Sequence, residues 1–476
     1  MDNRGTFGSR FTAIMAMAGS AIGLGNIWRF PYIAGKYGGG AFIIVYLLSA
    51  VFICIPIFLS ESIIGKSTRL GTFGAMRTLA PGSKWKWMGL ITVLTPLLIL
   101  SYYSVVGGWS VQYLVKAIGQ AFGAGAAGSA GAVSDTASAL ATAAVSQVAG
   151  AAEREEFARF ISSTWKPIVA HSIFLLANAL VVVGGVKKGI EKFTKITTPV
   201  LFVLIVVIMF YSISLPGAQA GVNYLVHADF SKLTAEGVLS AMGQAFFSLS
   251  LGVGTILTYA SYMRKEDNII ATGCFTAGFD LIFAMIAGFA IMPAVFAAGI
   301  EPGAGPGLIF ETLPYIFTVM GEQSPFLSGC VSILFFLTIF FAALTSSISM
   351  LEVGVSYLVD EKNWSRGKSI LVVCTGCWLV GILCSLSFGP LSGVKIMGNS
   401  IFDFCDKLAS NFLMVLGSLL FVLFAGWKMK KSILENEIAP EGSSPSKFTL
   451  FKILYFLIRY VAPLAIIVIF VTNLLM

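Results

Sequence analysis

Apolar residues gather along this chain in long runs separated by short polar connections. A helix that crosses a membrane needs about 20 predominantly apolar residues. By that measure eleven runs are long enough: 10–36, 40–67, 87–120, 168–185, 192–213, 237–263, 269–298, 326–358, 368–387, 398–426 and 449–474. Several exceed the minimum and can tilt or bend. The predicted fold class is an all-α integral membrane protein. The stretch 121–166 breaks the pattern. It opens as a Gly/Ala/Ser run that reads as loose and ends in EREEFARFISSTW, an amphipathic helix expected to lie on the outer surface. A second outer loop opens at Pro302–Pro306, and its remainder through Pro314–Phe317 is expected to dip back toward the protein. The segment 428–447, rich in Lys, Glu, Pro and Ser, reads as a disordered cytoplasmic loop.

The first run contains an anomaly, AGSAIGLGNIWRFP at 18–31. Gly19, Gly23 and Gly25 fall within seven residues, and each costs a helix interior about 1 kcal/mol relative to alanine. Unpaired backbone at membrane depth survives only where it is packed in protein or lines a cavity. This helix is therefore expected to be interrupted, and the interruption to be a binding site. The sixth run carries a matching GVG at Gly252 and Gly254. Five runs separate the two starts, so the halves are opposite in orientation. That predicts two inverted five-helix repeats, 1–235 and 236–427, each opened by a broken helix, with an eleventh helix in 448–476. Glycine-interrupted segments in corresponding positions point to a site near the membrane midplane.

Composition sharpens the membrane reading: 57% of residues are hydrophobic and 11% charged, against about 25% charged in soluble domains. The net charge of +8 does not imply nucleic acid, because the basic residues sit in short loops and not in a patch. Cytoplasmic loops carry the excess of Lys and Arg. With the N-terminus inside, the inner segments hold 21 of the 31 basic residues. The outer loop 300–322 has three Glu and no Lys or Arg. Eleven spans then put the C-terminus outside, in the plasma (inner) membrane. Met1–Arg10 is polar and no cleavable signal peptide is expected.

Polar groups inside the runs carry the candidate chemistry. Asp280 stands in mid-run, where a carboxylate costs about 2.5–3.5 kcal/mol on insertion scales. It requires a cation, a proton or a basic partner, and ion binding is the favoured reading. Glu61, in IFLSESIIG, is read structurally, as an acceptor for backbone N–H groups freed where the sixth helix breaks. The eighth run holds Thr345, Ser346, Ser347 and Ser349, whose hydroxyls either bond back to their own helix or supply hard oxygen ligands to a small cation. Cys374 and Cys377 form a CxxC with no further ligand in the run, and packing is the better account. His171 and His227 form no motif.

GSAIGLGNIWRFPYIAGKYGGGAF, SYYSVVGGW, GQAFFSLSLGVG, FFAALTSSIS and FDFCDKLASN, in that order, resemble the neurotransmitter:sodium symporter family, in particular bacterial members that carry leucine and other hydrophobic amino acids. The resemblance covers nearly the whole chain. It implies two sodium sites. The first would use the Ala21 carbonyl, Asn26, Ser248 and Asp280 with the substrate carboxylate. The second would use the carbonyls of Gly19, Ile22 and Ala342 with the hydroxyls of Thr345 and Ser346. Tyr103 would hydrogen-bond the substrate carboxylate beside Ala21, Gly23, Gly25 and Ser248, and Phe247 would cover the substrate from outside. Ser20, Ile99, Ser250, Val253, Ser346 and Met350 would line the side-chain pocket. Arg29 and Asp406 would form an outer gate, and Arg4 and Asp360, with Tyr262, an inner one.

Two departures from the family pattern carry information. Chloride-dependent animal members often have Asn at the position of Asp280 and a hydroxyl at that of Ala284. A fixed carboxylate beside the sodium would supply the charge that chloride brings, so chloride is not expected. Gly23 stands where amine carriers have Asp, so the substrate must bring its own carboxylate. The expected activity is sodium-coupled import of a neutral, hydrophobic or aromatic amino acid by alternating access, and the chain is not expected to be an enzyme. The rival classes are a channel or amino-acid sensor on the same fold, and a proton-coupled carrier using Asp280 or Glu61. The partners are an amino acid and the bilayer; oligomeric state is left open.

Overall fold

The computed structural model describes residues 5–122, 139–300, 302, 307–317 and 325–475. Most of the described residues are helical, and among them no strand is formed. Helix α1 (Arg10–Ala21) and α2 (Leu24–Lys36) meet at a 67° bend, followed by α3 (Gly40–Thr68). Next come α4 (Thr72–Leu79), α5 (Trp85–Ala121), α6 (Ala139–Ser162), α7 (Lys166–Val183) and α8 (Val186–Ile213). The second half holds α9 (Gln219–Val226), α10 (Ala235–Ser248), α11 (Thr255–Ala260), α12 (Ile269–Ala297) and α13 (Leu308–Phe317). It ends with α14 (Pro325–Lys362), α15 (Arg366–Leu386), α16 (Ile401–Lys428), α17 (Lys431–Ile438) and α18 (Pro445–Thr472). Nine of these are long and apolar enough to cross a membrane, and α1 with α2 makes a tenth, bent span. The run expected at 237–263 is divided between α10 and α11 around 249–254, so neither piece reaches spanning length.

Both breaks fall where glycines were expected to interrupt a helix. At the first, Ile22 N–H still bonds Ala18 O (2.8 Å), while Gly23 is extended and its N–H bonds the Asn26 Oδ1 (3.1 Å). At the second, Ser250, Gly252 and Gly254 all have positive φ (52°, 80° and 72°), the left-handed region where a Cβ is penalised by about 1–2 kcal/mol. Gly252 also lies so close to α16 that a Cβ would stand 2.1 Å from Met414 O. Glu61 on α3 holds this break: its Oε1 accepts from Gly252 N–H at 2.7 Å and it faces the amides of Gly254 and Leu257. The structural reading of Glu61 agrees with this geometry.

The two long helices α5 and α14 pack along each other, α7 and α15 lie against α5, and α1 nests between α8, α12 and α14. Two loops differ from expectation. The 428–447 segment is not disordered: Leu434 and Ile438, four residues apart, form a buried stripe on α17, and Glu437 pairs with Lys66 (2.8 Å). Two apolar residues at helical spacing outweigh the polar composition around them. In the outer stretch, helix α6 begins at Ala139, within the alanine-rich part read as loose; alanine is the strongest helix former. Its EREEFARF portion is amphipathic as expected, with Phe157 and Phe160 buried and Glu155, Glu156 and Arg159 exposed. Phe157 stacks on Phe310 of α13 (5.7 Å), so the second outer loop does return to the protein. The remainder of both loops, 123–138, 303–306 and 318–324, lies outside the described residues.

Candidate functional site

The breaks face each other across the centre of the bundle. Ser20 O, at the end of α1, accepts from Ser250 Oγ in the second break (3.2 Å) and from Ser346 Oγ on α14 (3.1 Å). Leu24 N–H, at the start of α2, donates to Tyr103 Oη on α5 (3.3 Å). Between these elements lies a small cavity. Its walls include Ala21, Gly23, Gly25, Ile99, Tyr103, Phe247, Ser248, Ser250, Val253, Ser346 and Met350. Of the residues expected to contact substrate, Ser20 alone is absent from the walls, and its hydroxyl is engaged by Ser349 (2.7 Å). Leu24 and Met414 are wall residues that sequence reasoning missed. Among the described residues no charged side chain lines the cavity.

Asp280 stands behind one wall. Its Oδ1 accepts from Asn26 Nδ2 (2.7 Å) and Ser248 Oγ (2.9 Å), and its Oδ2 from Tyr46 Oη (3.1 Å). Asn26 Nδ2 also reaches Ser248 Oγ at 3.1 Å. Three of the four protein groups expected at the first sodium site are thus directly joined, and the fourth, Ala21, lines the adjoining cavity. Among the described residues no basic side chain lies within ion-pair distance of Asp280, so pairing with Lys or Arg does not account for it. Tyr46 was not expected; a tyrosine in an apolar run signals little.

The groups of the second expected site also converge, less tightly. Gly19 packs against Thr345 and Thr198: a Cβ added there would lie 3.4 Å from Thr345 Cβ and 2.8 Å from Thr198 Oγ1. Thr345 Oγ1 bonds back to Phe341 O (2.9 Å) and Ala342 O (3.1 Å). Ile22 ends the same turn of α1. Thr198, on α8, is a further buried hydroxyl beside α1, donating to Met15 O (3.2 Å).

Phe247 lines the central cavity and also a second one that holds Arg29, so its ring stands between the two. Arg29 stacks over that ring at 5.5 Å. It feels the charge of Asp406 without an ion pair, and Asp406 accepts instead from Ser410 Oγ (3.1 Å). At the opposite end Phe7, fully buried, packs edge-on against Tyr259 and Tyr262. Tyr262 Oη donates to Glu352 Oε1 (2.7 Å), and Arg366 Nη2 meets Glu352 Oε2 (2.5 Å). Asp360 Oδ2 accepts from Gly71 N–H (3.3 Å). Arg4 lies outside the described residues. Glu352 and Arg366 were missed, although Glu352 carries the signal that marked Asp280, a carboxylate among apolar residues.

The model of the sodium:neurotransmitter symporter family matches residues 4–476. The chain belongs to this family. Over 470 residues the symporter is 38% identical to the sodium-dependent transporter YhdH of Bacillus subtilis, covering 97% of this chain and 96% of the relative. A sodium-dependent transporter of Haemophilus influenzae is 34% identical over 479 residues, 99% and 98% of the two chains. The crystal structure of MhsT in complex with L-phenylalanine superposes with a TM-score of 0.83 at 38% identity, over 99% of this chain and 100% of that one. The symporter is thus a multi-pass membrane transporter of the MhsT fold, and not an enzyme.

Proposed function

We propose that this symporter imports a neutral amino acid with an apolar or aromatic side chain, driven by two sodium ions and independent of chloride. The observation that carries the reading is the pairing of an uncharged cavity with a carboxylate just behind its wall: Asp280 is held by Asn26, Ser248 and Tyr46. An amino-acid carboxylate would lie at the N-terminus of α2, where the helix dipole favours an anion, beside Tyr103 Oη. A bare amine would meet no counter-charge, because Gly23 stands in the wall. The walls of Ile99, Phe247, Val253 and Met350 favour an apolar side chain. That MhsT was crystallised with L-phenylalanine agrees with this chemistry.

The first sodium would be shared by Asn26, Ser248, Asp280, the Ala21 carbonyl and the substrate carboxylate. The second would sit among the Gly19, Ile22 and Ala342 carbonyls and the Thr345 and Ser346 hydroxyls. The shared contact is the coupling, since each ligand binds better when the other is present. From outside, sodium binding would order the two breaks, the amino acid would follow, and Phe247 with Arg29 and Asp406 would close above it. Opening of the Arg4–Asp360 and Tyr262 side would release the cargo inward. The basic-residue distribution supports an inside N-terminus, a cytoplasmic α17 and an outside C-terminus in the plasma (inner) membrane. The division into inverted repeats, 1–235 and 236–427, fits the two facing breaks.

The test is a panel of amino acids and their decarboxylated amines, measured for sodium-dependent binding to purified protein and for uptake into liposomes. Binding of phenylalanine-like or leucine-like substrates without their amines is expected. Uptake that collapses when gluconate replaces chloride would refute chloride independence. Accumulation driven by a pH gradient without sodium would favour proton coupling, and dissipation without accumulation would favour a channel.

A further inference from the structure

Between α7 and α15, on the surface of the bundle, runs an open groove. Leu175, Leu176, Ile370 and Leu371 form its walls, and the small residues Ala179 and Gly367 deepen one end. At the other end Trp378 Nε1 donates to Ser172 Oγ (2.9 Å), fixing the indole against α7. Leu176 and Leu371 are 59% and 67% exposed, so no described residue covers the groove.

The Gly367 end opens onto basic residues. Arg366 ties α15 to α7 there: its Nε donates to Val182 O (2.8 Å), while its Nη atoms are taken by Glu352. A Cβ on Gly185 would come within 4.0 Å of Arg366 Nε, and Lys187 and Lys188, both exposed, follow at once. Lys368, also exposed, stands next to Gly367 with its Nζ 4.2 Å from the centre of the Trp364 ring. Among the described residues none of these three lysines has an ion-pair partner, and of the nearby acids Glu352 and Glu361 are taken by arginines, which leaves Glu191 as one negative charge beside three lysines. Glu352 pairs with Arg366, Glu361 with Arg77, and Glu191 Oε2 accepts from Gly8 N–H.

We propose that this groove binds an anionic phospholipid, with one acyl chain between α7 and α15 and the phosphate on Lys187, Lys188 and Lys368. An apolar slot that ends in an excess of positive charge is complementary to a lipid with a negative head, and basic pockets between membrane helices bind such heads. A second copy of the chain fits less well. A two-fold axis normal to the membrane sets the same patch of both copies at one height, so the two basic rims would face each other without an acid between them. The proposal is independent of the substrate reading. It makes the lipid a fixed strut between two scaffold helices, next to the Arg366–Glu352 pair.

The experiment is native mass spectrometry of the purified full-length symporter with phosphatidylglycerol and phosphatidylcholine of the same dioleoyl chains. Each lysine near a phosphate contributes about fivefold at low salt. The expected result is at least a tenfold preference for phosphatidylglycerol, falling to within twofold in the Lys187→Gln/Lys188→Gln/Lys368→Gln variant. Ala179→Phe, which fills the groove and keeps the lysines, is expected to lose the bound lipid. A wild-type protein that does not discriminate, a triple variant that keeps the preference, or an Ala179→Phe variant that retains phosphatidylglycerol overturns the proposal. So does an Ala179→Phe variant that converts a dimer to a monomer, since the occupant is then a second copy. Should one of these variants fail to fold, tryptophan quenching with brominated lipids decides, read as the difference between wild type and Trp378→Phe. A Trp378 component, the quenching that Trp378→Phe removes, at least fivefold stronger with brominated phosphatidylglycerol than with brominated phosphatidylcholine supports the site; an equal component with the two lipids overturns it.

Discussion

Gly23→Ala separates the shape of the central cavity from the stability of the break that forms it. Gly23 has φ −145° and ψ −169°, extended backbone that alanine adopts without strain. Its N–H bond to Asn26 is unaffected by a side chain. A glycine-to-alanine change at a compatible backbone adds about 0.4–1 kcal/mol of stability through the unfolded chain. The new methyl, however, enters the cavity 3.2 Å from Tyr103 Oη and 3.6 Å from Ser346 Oγ. The first distance is tighter than ordinary packing, so Tyr103 must move from the position at which it meets Leu24 N–H, where the substrate carboxylate is proposed to lie. Overpacking of this kind costs about 1–3 kcal/mol. Expressed in the substrate-bound state, that is about a 5- to 150-fold loss of affinity. The assay is isothermal titration of the preferred amino acid in saturating sodium, beside thermal unfolding of the substrate-free protein. Weakened binding with unchanged or improved unfolding is expected. Unchanged affinity would show that the substrate does not touch this wall. A large drop in the unfolding temperature of the substrate-free protein would show that the break does not accept a Cβ.

Three further outcomes are expected. Asp280→Asn removes the charge held by Asn26, Ser248 and Tyr46, and should lower sodium affinity at least tenfold in sodium-dependent substrate binding; unchanged sodium dependence would defeat the cation assignment. Glu61→Ala strands up to three amides at the second break, each worth about 1–3 kcal/mol when left unpaired in the interior. Its unfolding temperature should fall steeply, with Glu61→Gln intermediate because an acceptor remains. Lys66→Gln breaks a pair whose lysine is buried (side chain 7% exposed) and also bonds Asp267 O. It should speed hydrogen exchange across α17 with little effect on substrate affinity, and slow exchange unchanged from wild type would mean that apolar packing alone docks this helix.

The broken helices were legible because glycine clusters at membrane depth have few other uses, and Asp280 and Glu61 because an isolated carboxylate in an apolar run needs a partner. The residues that assemble with them were harder to read. Asn26 and Ser248 came through family resemblance, since a separation of 222 positions hides their contact. Tyr46 was invisible because its ring suits a membrane helix whatever its hydroxyl does. Glu352 lies only about two turns from the charged end Asp360–Lys362, where polar composition masks a single buried acid. Helix α17 was misread because composition was weighed over a segment, whereas Leu434 and Ile438 act by their spacing. Its anchor, Lys66, is 371 residues away.

The two breaks differ in what holds them. The second is clamped from outside by Glu61, a fixed acceptor on α3 that belongs to neither cargo site. The first is clamped from within by Asn26, whose single amide oxygen caps Gly23 N–H and is also the oxygen proposed for sodium. Two lone pairs on one atom must then serve both the backbone and the ion. An arriving cation polarises that oxygen and alters the grip on the bend, while the clamp on the other bend stays constant. On the proposed assignment the pair behaves like one hinge with a set screw and one whose stiffness depends on its occupancy, so that motion around the first break reports whether the first ion is aboard.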